Sequence, residues 1–148
     1  MPRILVLNGP NLNLLGTREP GLYGSDTLAT IIERLARQAA ARDASVVAFQ
    51  SNAEHELIAQ VQGAKSAHID AIVLNAGALA HTSLALRDAL AATGVPFYEV
   101  HISNVYAREP FRHHSHLSAI ASGVIVGCGP IGYELALEAA LRRLAPAR

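Results

Sequence analysis

The chain has 148 residues, and its twelve Lys and Arg are balanced by twelve Asp and Glu, so it carries no formal net charge. That balance provides no long-range field to gather nucleic acid or an anionic membrane surface, so any anion it binds must be held by a local site. A lone cysteine, Cys128, excludes an internal disulfide and a multi-cysteine zinc site, and fits a reducing, cytoplasmic compartment. Met1-Pro2-Arg3 leads straight into an apolar stretch without the layout of a signal peptide, and no apolar run nears the roughly 20 residues of a spanning helix. The first strand is predicted over residues 3–7, followed by an irregular stretch over 8–24. Ser25 and Asp26 are capping candidates for a helix whose Leu28, Ile31, Ile32 and Leu35 recur at three-to-four spacing. Strands over 45–50 and 71–74 flank a helix over 54–64. A helix over 83–92, a strand over 96–100, a second irregular stretch over 103–116, a strand over 123–126 and a helix over 131–144 complete the chain. Continuous apolar runs suit strands covered on both faces, so the expected class is α/β, a five-stranded, doubly wound parallel sheet in three αβα layers. We expect one domain, residues 1–148.

In such a sheet the ligand crevice lies beyond the carboxyl ends of the strands. Three of those ends are polar: Asn8-Gly9-Pro10-Asn11, Asn75-Ala76-Gly77-Ala78 and Glu99-Val100-His101-Ile102-Ser103. Strand side chains alternate, so Glu99 and His101 point the same way, close enough for the carboxylate to fix the tautomer of the imidazole. The pair is a ready general acid or base; the plainer alternative is a satisfied buried ion pair. Residues 16–24 carry flanking glycines that could hinge a lid bearing Arg18 and Tyr23. A tyrosine base would need its phenol lowered by about three units from near 10, roughly 4 kcal/mol, much of which one close arginine can give. Arg18 is the obvious supplier and Arg112 a second; otherwise both Arg18 and Tyr23 are ordinary loop residues.

His81 opens the third helix and Asp88 lies within it. Arg112 would suit a polyhydroxylated anion, and the amides of Ile102 and Ser103, just past a strand end, could bind a carboxylate without a side chain. His113, His114 and His116 tempt a metal reading, but zinc needs ligands gathered tetrahedrally, and a solvated face is the simpler account. Gly127-Cys128-Gly129-Pro130-Ile131-Gly132 matches G-x-G-x-x-G, yet no second strand with an acidic residue follows, so tight helix-on-sheet packing is the better reading.

Taken together, residues 8–24 (NGPNLNLLGTREPGLYG), 75–90 (NAGALAHTSLALRDAL) and 99–115 (EVHISNVYAREPFRHHS) closely resemble the type II 3-dehydroquinate dehydratases. The resemblance implies a flavodoxin-like fold, no cofactor, and a homododecamer built as a tetramer of trimers, for which the 51% hydrophobic and 16% charged composition leaves apolar surface to spare. It implies that water is eliminated from 3-dehydroquinate through an enolate. Tyr23 would take the C2 proton, His101 would protonate the departing hydroxyl, Glu99 would orient His101, Arg18 would stabilise the phenolate, and Asn11 would help hold a water on the enolate oxygen. Asn75 with the Ile102 and Ser103 amides would bind the substrate carboxylate, and His81, Arg112 and Asp88 its ring hydroxyls, Asp88 lying at a subunit contact. Residues Gly21-Leu22 and His116 depart from what the resemblance leads us to expect, without removing a catalytic group. A flavodoxin-like binding module holding a flavin or nucleotide is the rival from another class. A Schiff-base dehydratase would have to use Lys65, the only lysine, at a helix end.

Overall fold

A computed structural model of the chain describes residues 1–17, 21 and 25–146. Its strands are β1 (Arg3–Asn8), β2 (Ser45–Gln50), β3 (Ala71–Asn75), β4 (Phe97–His101) and β5 (Gly123–Val126). They alternate with helices α1 (Leu28–Ala40), α2 (Glu54–Gln62), α3 (Leu84–Thr93) and α4 (Ile131–Leu144). All neighbouring strands pair in parallel, in the order β2-β1-β3-β4-β5. This is the doubly wound, flavodoxin-like order, in which successive crossovers place helices on opposite faces of the sheet.

Alternation along β1 divides the core in two. Ile4 and Val6 pack with Ile31 and Leu35 of α1 and with Tyr133 and Leu137 of α4. Leu5 and Leu7 face Leu57 of α2 and Leu86 and Leu90 of α3. Each such side chain, wholly removed from water, contributes roughly 1.5–3 kcal/mol before entropy is counted. Gly132 of α4 faces the sheet, where a Cβ would lie 3.4 Å from Val100 Cγ1 and 3.5 Å from Ile125 Cγ2, ordinary van der Waals contact. The last glycine of the G-x-G-x-x-G stretch thus lies at the helix-on-sheet seam, without a clash that would demand glycine there.

The boundaries differ from expectation in ways the side chains explain. β1, β3 and β4 each run one residue further, taking in Asn8, Asn75 and His101, and each of these buried polar groups finds a side-chain partner, Tyr133 of α4 for the two asparagines and Glu99 of β4 for His101. The cap of α1 is Thr27, whose hydroxyl accepts from the Thr30 amide at 3.2 Å; of the expected caps, Asp26 pairs with Arg34 instead, at 2.5 Å. α2 stops at Gln62, short of residue 64, with Gly63 as its C-cap. Ser83 caps α3 by accepting from the Leu86 amide at 2.9 Å. The stretch expected to be irregular over 103–116 contains two 3-10 turns, Val105–Ala107 and Pro110–Arg112. Among the described residues no helix is long and apolar enough to cross a membrane.

Candidate active site

The loops leaving β1 and β3 are pressed together. Gly9 donates its amide to the Asn75 carbonyl at 2.8 Å, and a Cβ on Gly9 would lie 2.3 Å from the Ala76 carbonyl oxygen, so no other residue fits without moving backbone. Gly77 across the seam has φ +60°, again a glycine conformation. Asn11 follows at φ 71°, a left-handed position that asparagine tolerates, and its amide donates to Asn52 Oδ1 at 3.0 Å. The result holds Asn11 and Asn75 over the same space.

β4 supplies the titratable centre. The Glu99 side chain is wholly buried and accepts from His101 Nε2, from Ser115 Oγ at 2.7 Å and from Ser118 Oγ at 2.6 Å. Burial pushes Glu99 up, but the hydrogen bonds from His101 and Ser118, the charge of His101 and the Ser115 hydroxyl outweigh it, holding the carboxyl below its usual range. Glu99 therefore stays ionised at neutral pH. With Nε2–H committed to that carboxylate, Nδ1 is the nitrogen of His101 left for proton transfer, and Nδ1 has no partner among the described residues.

His101 opens onto a cavity of about 170 Å³ at the carboxyl ends of β1, β3 and β4. Asn11, Asn75, His81, Ile102, Ser103, Arg108 and Arg112 line it together with His101. His81 stacks on His101, and its Nδ1–H donates to the His114 carbonyl at 2.8 Å, which leaves Nε2 as an acceptor. Arg112 is tethered through Nε to Glu109 at 2.9 Å, so its terminal N–H fork remains for a ligand. The carbonyls of His101 and Ile102 accept from Gly127 and Gly129, both at 3.0 Å, whereas no acceptor among the described residues takes the Ile102 or Ser103 amide. Donors, a guanidinium and a proton-transfer imidazole thus converge on a space suited to a small, hydroxylated anion.

Eight of the eleven anticipated residues meet here: seven on the cavity wall, and Glu99 directly behind His101. Asp88 does not, being exposed on α3 away from the wall. Arg18 and Tyr23 lie outside the described residues. Lys65 is exposed and no part of the wall. Sequence reasoning missed Ser115 and Ser118 as partners of Glu99, and Tyr133 as the partner of Asn8 and Asn75. Arg108, on the cavity wall, was likewise not singled out. Of the later histidines, His113 bonds the Arg108 carbonyl, His114 anchors His81, and His116 donates its amide to the Ala80 carbonyl, so this segment ties the Glu99 serines to the cavity wall.

Residues 2–141 match the family described as Dehydroquinase class II. The chain is 66% identical over 142 residues to the 3-dehydroquinate dehydratase of Methylococcus capsulatus, covering 96% of each chain. It is 62% identical over 144 residues to that of Alkalilimnicola ehrlichii, covering 97% of this chain and 95% of the relative. The solved type II dehydroquinase of Propionibacterium acnes superposes with a TM-score of 0.91 at 41% identity, covering 96% of this chain and 97% of the other. On the match along nearly its whole length and on the shared fold, the chain belongs to the class II dehydroquinase family.

Proposed function

We propose that this protein is a hydro-lyase that removes water from 3-dehydroquinate to give 3-dehydroshikimate, a step of the shikimate route to the aromatic amino acids. The observation that carries the reading is the Glu99–His101 pair opening onto a cavity walled by Arg112 and unengaged amides. Tyr23, as phenolate, takes the axial C2 proton and leaves an enolate at the ring ketone; Arg18 stabilises that phenolate and the developing charge. Asn11 helps hold a water against the enolate oxygen. The enolate then collapses, the C1–oxygen bond breaks, and His101 hands its proton to the leaving hydroxyl, which departs as water on the opposite face. Glu99 positions His101 and balances the charge of the protonated ring. Asn75 and the Ile102 and Ser103 amides hold the carboxylate, while His81 and Arg112 take the ring hydroxyls. General acid and base groups of this kind typically contribute about 10²–10⁴-fold each, so the chain needs no cofactor in this scheme.

The same reading takes residues 1–148 as one catalytic domain in the cytoplasm, assembled as a homododecamer, a tetramer of trimers. Leu84, Phe111, Ile131 and Leu135 are exposed apolar side chains that an assembled state would cover, and Asp88 is exposed, where a neighbouring subunit could meet it. Near-ultraviolet absorbance of the conjugated product, followed with 3-dehydroquinate in EDTA, tests the activity. Signal from the untreated and the borohydride-treated protein, with almost none from Tyr23→Phe, is the expected result. Silence from all well-folded samples, or loss on borohydride treatment, overturns it. Sizing chromatography tests the assembly.

A further inference from the structure

Behind the cavity wall, α4 contributes a phenol that the mechanism does not use. Tyr133 is wholly buried, and its hydroxyl sits between the ends of β1 and β3. The direction of its hydrogen bonds follows from one backbone donor. The Gly77 amide, which can only donate, lies 3.1 Å from the Asn75 side chain and so faces Oδ1. Asn75 Nδ2 must then donate to the Tyr133 oxygen, at 2.8 Å, and the phenol proton passes on to Asn8 Oδ1 at 2.6 Å. Asn8 Nδ2 ends the relay with no partner among the described residues. A buried donor left unpaired costs about 1–3 kcal/mol, so the arrangement is not the cheapest for stability alone. What it secures is the sense of the Asn75 amide: one N–H is spent on Tyr133, Oδ1 is spent on Gly77, and the second N–H is left for the cavity that Asn75 lines.

We propose that Tyr133 is a positioning residue for substrate binding, holding Asn75 with a donor toward the substrate carboxylate, and that Asn8 sets the direction of the relay. This rests on the dehydratase reading above. Removing the phenol oxygen frees the amide to turn, which weakens a contact made equally in the bound and reacting states, so KM rises while kcat is kept.

The test is a double-mutant cycle on steady-state kinetics with 3-dehydroquinate. Tyr133→Phe is expected to raise KM about tenfold, the loss of roughly one good hydrogen bond, with kcat within about twofold of the wild type. Asn75→Ala is expected to raise KM as well, and adding Tyr133→Phe to it to change little further, the coupling expected of groups in one network. Asn8→Ala, which leaves the Tyr133 ring in place, is expected to raise KM in the same way and serves if Tyr133→Phe does not fold. Multiplying effects, an unchanged KM in Tyr133→Phe and Asn8→Ala, or a loss confined to kcat overturns the proposal. A wild type without dehydratase activity instead overturns the reading on which it rests.

Discussion

The imidazole rings of His81 and His101 lie 5.8 Å apart, centroid to centroid, with their planes 26° from parallel. Burial, with the charges of His101 and Arg112 adding to it, outweighs the His114 carbonyl and holds His81 below its ordinary 6.5. His81 thus stays neutral over the cavity, beside the ring assigned to proton transfer.

A lowered histidine has a definite effect on stability. The unfolded chain takes up a proton near 6.5 while the folded one resists it, so the stabilisation is complete above about 6.5 and is lost as pH falls through the lower folded value. Urea midpoints measured between about pH 7 and pH 5 are expected to fall more steeply for the wild type than for His81→Gln, which does not titrate. Parallel curves contradict the assignment.

Glu99→Gln keeps the shape of the carboxyl and removes its charge. The amide cannot accept from His101, Ser115 and Ser118 with both its ends, so a cost of about 1–3 kcal/mol in unfolding free energy is expected. Loss of the group that orients His101 is expected to lower kcat about 10²-fold with KM nearly kept. Steady-state kinetics with urea unfolding on the same preparation checks both, and an unchanged kcat removes Glu99 from its role. In the wild type the stabilisation from Glu99 is present above the ordinary carboxyl value of 4.5 and is lost as pH falls through the lower folded one.

Gly9→Ala probes the seam between the two loops. The added Cβ meets the Ala76 carbonyl oxygen at 2.3 Å, a clash with backbone, and a destabilisation of about 1–3 kcal/mol is expected. Because Asn11 and Asn75 flank that seam, KM is expected to rise as well. Denaturant unfolding and KM together check it; a neutral substitution contradicts the close approach.

The sheet was legible because its strands are short apolar runs set off by turn residues, and the polar groups that end them announced the crevice. Glu99 and His101 were legible as a pair because they are two residues apart on a strand. Ser115 and Ser118 were not, since they reach Glu99 across 16 and 19 residues through a loop whose path no periodicity reports. Tyr133 lies within the predicted helix with nothing local to single it out, and its bond to Asn8 spans 125 residues, a contact that exists only once α4 has packed on the sheet. The α1 cap fell to Thr27 rather than Ser25 or Asp26 because capping follows the backbone: Thr27 is the extended residue at that entry. Arg18 and Tyr23 were legible as a cation and a phenol on a glycine-flanked loop; which of them acts as base came only with the resemblance of residues 8–24.

The anti elimination itself is tested most directly with 3-dehydroquinate deuterated at the axial C2 position, by mass spectrometry of the 3-dehydroshikimate formed. The account predicts unlabelled product, the deuteron having passed to Tyr23 and on to solvent. Product that retains the label would mean that the other C2 hydrogen is taken, and would contradict the assigned geometry.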